Sequence, residues 1–105
     1  MNYLPDIYKN FQNQFPELAR DYEALAEKCY NWGTLDEKTK RFFKLGVAIG
    51  LASEGGVRSH VRRALEEGAS RDEVRHAVLL SLTTIGFPAM IAATKWAEEV
   101  IAKHK

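Results

Sequence analysis

The run from Ser53 to Ala89, S-E-G-G-V-R-S-H-V-R-R-A-L-E-E-G-A-S-R-D-E-V-R-H-A-V-L-L-S-L-T-T-I-G-F-P-A, constrains the fold more than any other part of the chain. Gly68 stands where a helix ends in a left-handed cap, because only glycine takes that backbone conformation without a Cβ penalty. Ser70-Arg71-Asp72-Glu73 has the form of a capping box, in which serine and glutamate satisfy the first free amides of a new helix. Gly86-Phe87-Pro88 then turns the chain, and proline at a helix-opening position starts another helix from Ala89 to about Lys103. The run therefore reads as two helices joined by a capped turn and closed at a Gly-Phe-Pro-Ala corner.

The remaining sequence extends the same pattern. Pro5 and Pro16 predict a short helix over 5–14 and a longer one over 16–31. The second carries Leu18, Tyr22, Leu25, Ala26 and Cys29 at helical spacing, an apolar stripe suited to a core. On that stripe a free cysteine reads as a small buried hydrophobe. Gly33 ends the helix, and Thr34-Leu35-Asp36-Glu37 predicts a further capping box. A third helix runs to about Ser53 and packs Phe42, Phe43, Leu45, Val47, Ile49 and Leu51. Its Gly46 and Gly50 each cost roughly 1 kcal/mol against alanine, a cost usually offset by close approach of another backbone. Glu54-Gly55-Gly56 reads as a break, with a fourth helix from Val57 to Gly68. The fifth, Val74 to Gly86, is apolar nearly all round and predicts burial on every side. The expectation is an all-α fold of about six helices, with no strand pattern and one domain over residues 1–105.

Composition narrows the function classes. A chain of 105 residues has no room for a second core, and its apolar fraction of 46% is ordinary for a globular protein. A net charge of +1 supplies no field to attract nucleic acid or anionic lipid. No apolar run approaches the roughly 20 residues that span a bilayer. The N-terminus, Met1 to Asp6, lacks the pattern of a signal peptide. With one cysteine there is no internal disulfide, which fits a reducing, cytoplasmic setting. A small domain is hard pressed to surround an all-apolar fifth helix by itself, so a second copy of the chain is expected to cover it.

The pattern around Ser53-Glu54-Gly55-Gly56, His60 and Gly86-Phe87-Pro88-Ala89 resembles the carboxymuconolactone decarboxylase family, which includes the alkylhydroperoxidase D proteins. The resemblance implies an alkylhydroperoxidase D-like helical subunit in a homo-oligomer, a trimer or a hexamer. In the family's redox branch, a C-x-x-C pair precedes a histidine at the start of this helix, and a glutamate on the preceding helix joins a proton relay. Carried over by position, the histidine falls on His60, the cysteines on Ser53 and Gly56, and the glutamate on Arg41. A serine and a glycine cannot form a disulfide, so the dithiol mechanism is not available to this chain. The decarboxylase branch lacks the pair and keeps the histidine, and Ser59-His60-Val61-Arg62-Arg63-Ala64 is similar to it. That implies loss of carbon dioxide from a small carboxylated lactone or keto acid.

On this reading His60 is the proton-transfer residue and Glu54 a second catalytic carboxyl group that acts as an acid or orients His60. Arg58 and the amides of Gly55 and Gly56, with Ser53 beside them, would hold a substrate carboxylate at a helix N-terminus. The same residues also admit a structural histidine and a solvated helix end, which would make the chain a catalytically silent oligomeric binding module. A peroxidase based on Cys29 is a further alternative, and needs that thiol exposed beside a cation or base. No cofactor or metal is expected. Glu73 and His76 have the spacing of one di-iron half-site, but such sites need the pair twice plus two more glutamates. Lys38, Lys40, Arg41, Lys44, Arg58, Arg62 and Arg63 are interleaved with acids and lack stacking aromatics, which reads as a solvated face without nucleic-acid binding.

Overall fold

A computed structural model describes residues 6–104 and places them in seven helical segments: α1 (Asp6–Gln14), α2 (Pro16–Asn31), α3 (Glu37–Gly50), α4 (Glu54–Glu66), α5 (Arg71–Leu79), α6 (Leu82–Ile85) and α7 (Phe87–Lys103). The described fold is all-α, as the helical periodicity predicts. Pro5 and the N-terminal residues before Asp6 lie outside the described residues. The chain forms two compact units that divide between Thr34 and Leu35.

In the first unit, Pro16 opens α2 at its first turn. α1 lies against α2 through polar contacts, with the Tyr8 hydroxyl and the Gln12 amide both donating to the Glu23 carboxylate, at 2.7 and 2.8 Å. These bonds hold Glu23 below the usual carboxylate range. Leu18, Tyr22, Leu25 and Cys29 do not form the core expected of them, and all four are exposed. A nine-residue α1 engages the Glu23 side of its neighbour and leaves the apolar stripe uncovered. Of the described residues in this unit only Ala19 is buried.

The core belongs to the second unit. α3 contributes Leu45, Ala48 and Ile49, α4 contributes Val57, Val61, Ala64 and Leu65, and α5 contributes Val74 and Val78. α7 closes it with Met90, Ala93, Ala97 and Ile101, spaced so that one stripe faces inward. Two alanines in that stripe let helix axes approach closely. Ion pairs pin α7 at the rim: Arg75 to Glu98 at 2.8 Å and Arg58 to Glu99 at 2.5 Å.

The caps account for most helix boundaries. The Ser70 capping box forms in full, with the Ser70 hydroxyl accepting from the Glu73 amide at 3.0 Å and Glu73 accepting from the Ser70 amide at 2.9 Å. The cap of α3 is Asp36 rather than Thr34: its carboxylate accepts from the Thr39 amide at 2.8 Å, and Glu37 pairs with Lys40 instead. Aspartate is the stronger cap of the two, so it displaces the boundary by two residues. Glu54-Gly55-Gly56 is the first turn of α4 and not a break, because Ser53 caps that helix by accepting from the Gly56 amide at 3.1 Å.

The expected fifth helix is interrupted. Both the amide and the hydroxyl of Ser81 bond the Val78 carbonyl, at 3.1 and 2.7 Å, and this competition ends α5 before α6 begins. Nor is the segment buried all round, since Val74 and Val78 are enclosed while Leu79 and Leu80 are 55% and 63% exposed.

Three backbone positions take positive φ at the sharp turns, Gly68 at 101° among them. Gly86 sits at φ 91°, ψ 166°, a region open essentially to glycine alone. Ala52 occupies the left-handed region at φ 54° as the chain leaves α3. Gly86→Ala is expected to lower stability by about 1–3 kcal/mol in urea unfolding. Ser70→Ala is expected to cost about 1 kcal/mol, the usual worth of an N-cap.

Candidate active site

Three of the residues that the resemblance singles out, Ser53, Gly56 and His60, share one stripe of α4 and its N-cap, and Glu67 at the other end joins them. At about 100° per residue, Ser53, Gly56, His60 and Glu67 fall at i, i+3, i+7 and i+14, close to a single line along the helix. That line faces α3. A Cβ built on Gly56 would lie 3.0 Å from the Ala48 Cβ and 2.9 Å from the Ser53 hydroxyl, so α3 and α4 pack closely there. The same built atom lies 3.4 Å from the Ser53 Cβ. Disulfide-bonded residues have Cβ atoms about 3.5–4.5 Å apart. The two positions assigned to the family's cysteine pair therefore lie just below the lower end of that range, with Ala48 crowding the second of them.

Two turns along the seam, Arg41 of α3 meets His60 and Glu67. The Arg41 side chain is buried, and the residue as a whole is only 6% exposed. Its Nη1 donates to His60 Nδ1 at 3.0 Å, while Nε and Nη2 donate to the two Glu67 carboxylate oxygens at 3.0 and 2.8 Å. This is a two-pronged guanidinium–carboxylate contact, the geometry in which arginine binds carboxylates best. Arg41 holds the Glu67 carboxyl group below its ordinary range, chiefly through these hydrogen bonds. His60 is half-buried, and its pKa falls from 6.5 to about 4. Burial is the largest cause, followed by the positive charges of Arg41, Arg63 and Lys44; Glu67 opposes them weakly. At neutral pH the site holds an uncharged imidazole beside a buried cation.

The expected partners of His60 do not converge on it. Arg58 lies about 200° around the helix from His60 and is engaged by Glu54 at 3.0 Å and Glu99 at 2.5 Å. Glu54 thus pairs with Arg58, and the group that contacts the His60 ring is Arg41. The Gly56 amide is taken by the Ser53 hydroxyl, so that amide is not free to hold a carboxylate. Glu67 is the residue that sequence reasoning missed, although its seven-residue spacing from His60 places it on the same face. A groove lined by Lys38, Arg41, Phe42, Ala64, Glu67 and Ala69 opens beside the ion pair. Among the described residues, no group of three or more histidine, cysteine or acidic side chains is placed to hold a metal ion.

The chain is an all-helical fold with a histidine on a capped helix, opposite a charged residue of the preceding helix. The model of the carboxymuconolactone decarboxylase family matches residues 16–99, and the chain belongs to that family. The 4-carboxymuconolactone decarboxylase of Acinetobacter baylyi is 28% identical over 103 residues, covering 92% of this chain and 68% of the relative. An uncharacterized protein of Methanocaldococcus jannaschii is 25% identical over 93 residues, covering 88% of this chain and 89% of its own. The crystal structure of a carboxymuconolactone decarboxylase family protein from Legionella pneumophila, in its apo form, superposes with a TM-score of 0.82. It covers 95% of this chain and 89% of that one at 23% identity, a likeness of fold.

Two outcomes are expected. The double variant S53C/G56C, oxidised under mild conditions, closes an intrachain disulfide and leaves Cys29 as the titratable thiol, as counted by alkylation and mass spectrometry. The second concerns pH. Because His60 binds its proton more weakly folded than unfolded, the unfolded state is protonated first as pH falls below 6.5. Stability is then lost between pH 6.5 and about 4 and is unaffected by this group above 6.5. The loss, on the order of 2 kcal/mol, should be absent from His60→Gln in parallel denaturation series.

Proposed function

We propose that this protein is a non-redox member of its family, a decarboxylase acting on a small carboxylated lactone or keto acid with His60 as the proton-transfer residue. The observation that carries the reading is the pairing of Arg41 with His60 across a seam whose two thiol positions hold Ser53 and Gly56. Without paired sulfurs at the helix mouth the site has no store for two reducing equivalents. A silent binding module would be expected to pack His60 among apolar neighbours, whereas here its Nδ1 accepts a hydrogen bond from the buried Arg41. In the proposed reaction the bond between the substrate carbon and its carboxylate breaks, and the electron pair passes into the conjugated carbonyl. His60 offers its ring hydrogen to the oxygen on which charge develops, carbon dioxide leaves, and the carbon that held it takes a proton from water.

Assembly as a homo-oligomer belongs to the same reading. From Leu45 to Ser53 the chain carries no charge, and Val47 and Leu51 are exposed there alongside Gly46 and Gly50, whose Cβ positions face open space. Leu79, Leu80, Phe87 and Ile91 expose further apolar surface. A second copy of the chain is the proposed cover for these faces.

The test is release of carbon dioxide from carboxylated lactones, starting with the substrate named for the Acinetobacter relative. His60→Ala is expected to lower kcat by at least about 100-fold, the usual contribution of a positioned proton-transfer group. Unchanged turnover in that variant would end the reading, and so would sustained hydroperoxide reduction by the purified chain that is lost in Cys29→Ser. Sedimentation should give a multiple of the 11.9 kDa chain mass.

A further inference from the structure

We propose that Arg41, clamped by Glu67, is a positioning residue that fixes His60 in one tautomer, with its hydrogen on Nε2, so that the imidazole serves as a neutral donor and not as a base. The inference rests on the reading of His60 given above. A guanidinium has donors and no acceptor, so the nitrogen it contacts must offer a lone pair. That nitrogen is Nδ1, at 3.0 Å from Nη1. In a neutral ring the hydrogen then resides on Nε2. Glu67 makes the arrangement rigid: its two oxygens occupy Nε and Nη2, which leaves Nη1 directed at the ring.

The charged groups that act on His60 from the elements packed around it reinforce this state. Arg41 and Lys44 act from α3, Arg63 from α4, and Glu67 from just beyond the end of α4. Three cations against one carboxylate, which is itself paired with Arg41, disfavour an imidazolium. A base at this position would have to accept a proton at Nδ1, where Arg41 stands, or at Nε2, which already carries one. A donor faces neither obstacle. When the carbon–carboxylate bond breaks, the electron pair collects on the conjugated carbonyl oxygen, and a hydrogen bond from Nε2 shares that charge. Carbon dioxide departs, and the carbon takes its proton from water. A fixed donor aimed at developing charge needs no reorganisation during the reaction.

The experiment is nitrogen-15 NMR of the imidazole in the intact protein, with kinetics on the same samples. Wild type should show an unprotonated Nδ1 and a protonated Nε2 from pH 5 upward. Arg41→Leu should mix the tautomers, raise the His60 pKa by about one unit or more and lower kcat roughly 100-fold with little change in KM. Arg41→Lys, which keeps a donor and a charge, should restore much of each. A protonated Nδ1 in wild type would overturn the proposal with no variant needed, which covers the case where Arg41→Leu does not fold. An unaltered tautomer and titration in folded Arg41→Leu would overturn it as well. Absence of decarboxylation from wild type would instead remove the reading of function, and the NMR would still decide the assignment of Arg41.

Discussion

A buried guanidinium is the most demanding group in this fold. An arginine taken out of water loses several kcal/mol of hydration, and it is tolerated only when its charge is paired and its hydrogen bonds are made. Arg41 meets both conditions, and the means by which it does so organises the α3–α4 seam. Glu67 neutralises it across two hydrogen bonds, and His60 accepts a third. For these contacts to form, α3 and α4 must run close together and in one register. Gly56 against Ala48 provides the closeness, since any larger residue than glycine would press a Cβ to within 3.0 Å of its neighbour. The hydrophobic residues beside it, Leu45 and Val61 among them, are buried in the core on which the seam rests.

That constraint explains the position of the helix boundaries around it. Glu67 follows the last residue of α4, immediately before the positive-φ Gly68, and the chain must turn there for Ser70 to cap α5. At the other end, α3 ends in a left-handed Ala52 and hands over at once to Ser53, the cap of α4. Two tight, capped turns thus fix the length of the helix that carries His60 and, with it, the distance along the seam between the thiol-equivalent positions and the charged pair. An alanine where glycine is the easier residue marks how little freedom that connection has.

Much of this is legible in the sequence wherever the signal is local. Ser70 and Glu73 are three residues apart and specify their own geometry, and Pro16 marks its helix start without help from the rest of the chain. Arg41 does lie opposite His60, where its assignment by position puts it. The errors have a common cause: they depend on competition between groups. Thr34 and Asp36 both satisfy the requirements of a cap, and the stronger acceptor wins. Ser81 reads as a helix interior residue until its hydroxyl competes for the Val78 carbonyl. The apolar stripe of α2 reads as core because periodicity reports which residues share a face and is silent about what covers that face. Proximity along the chain also suggested Arg58 and Glu54 as partners of His60, where helical angle is the better guide. Six residues beyond Glu54, the helix has turned away, while the seven-residue spacing to Glu67 brings a carboxylate back to the same line.

The identity of the residue beside His60 bears on the chemistry as strongly as the missing thiols do. The family's redox branch, as the resemblance implies, places a glutamate there. A carboxylate raises the proton affinity of a neighbouring imidazole and draws the hydrogen to the near nitrogen, which suits a histidine that must take up and release protons while sulfurs are oxidised and reduced. Arginine inverts both effects. It lowers the proton affinity and pushes the hydrogen to the far nitrogen. Had only the sulfurs been replaced, the surviving pair would still be built for shuttling protons between them. With the neighbour's charge reversed as well, the proposed reading gives the imidazole a different task, stabilising negative charge that develops on a bound molecule. On that proposal the absent thiols and the inverted charge are parts of one change in chemistry, and Glu67 is the residue that pairs the buried Arg41 and makes the second half tolerable.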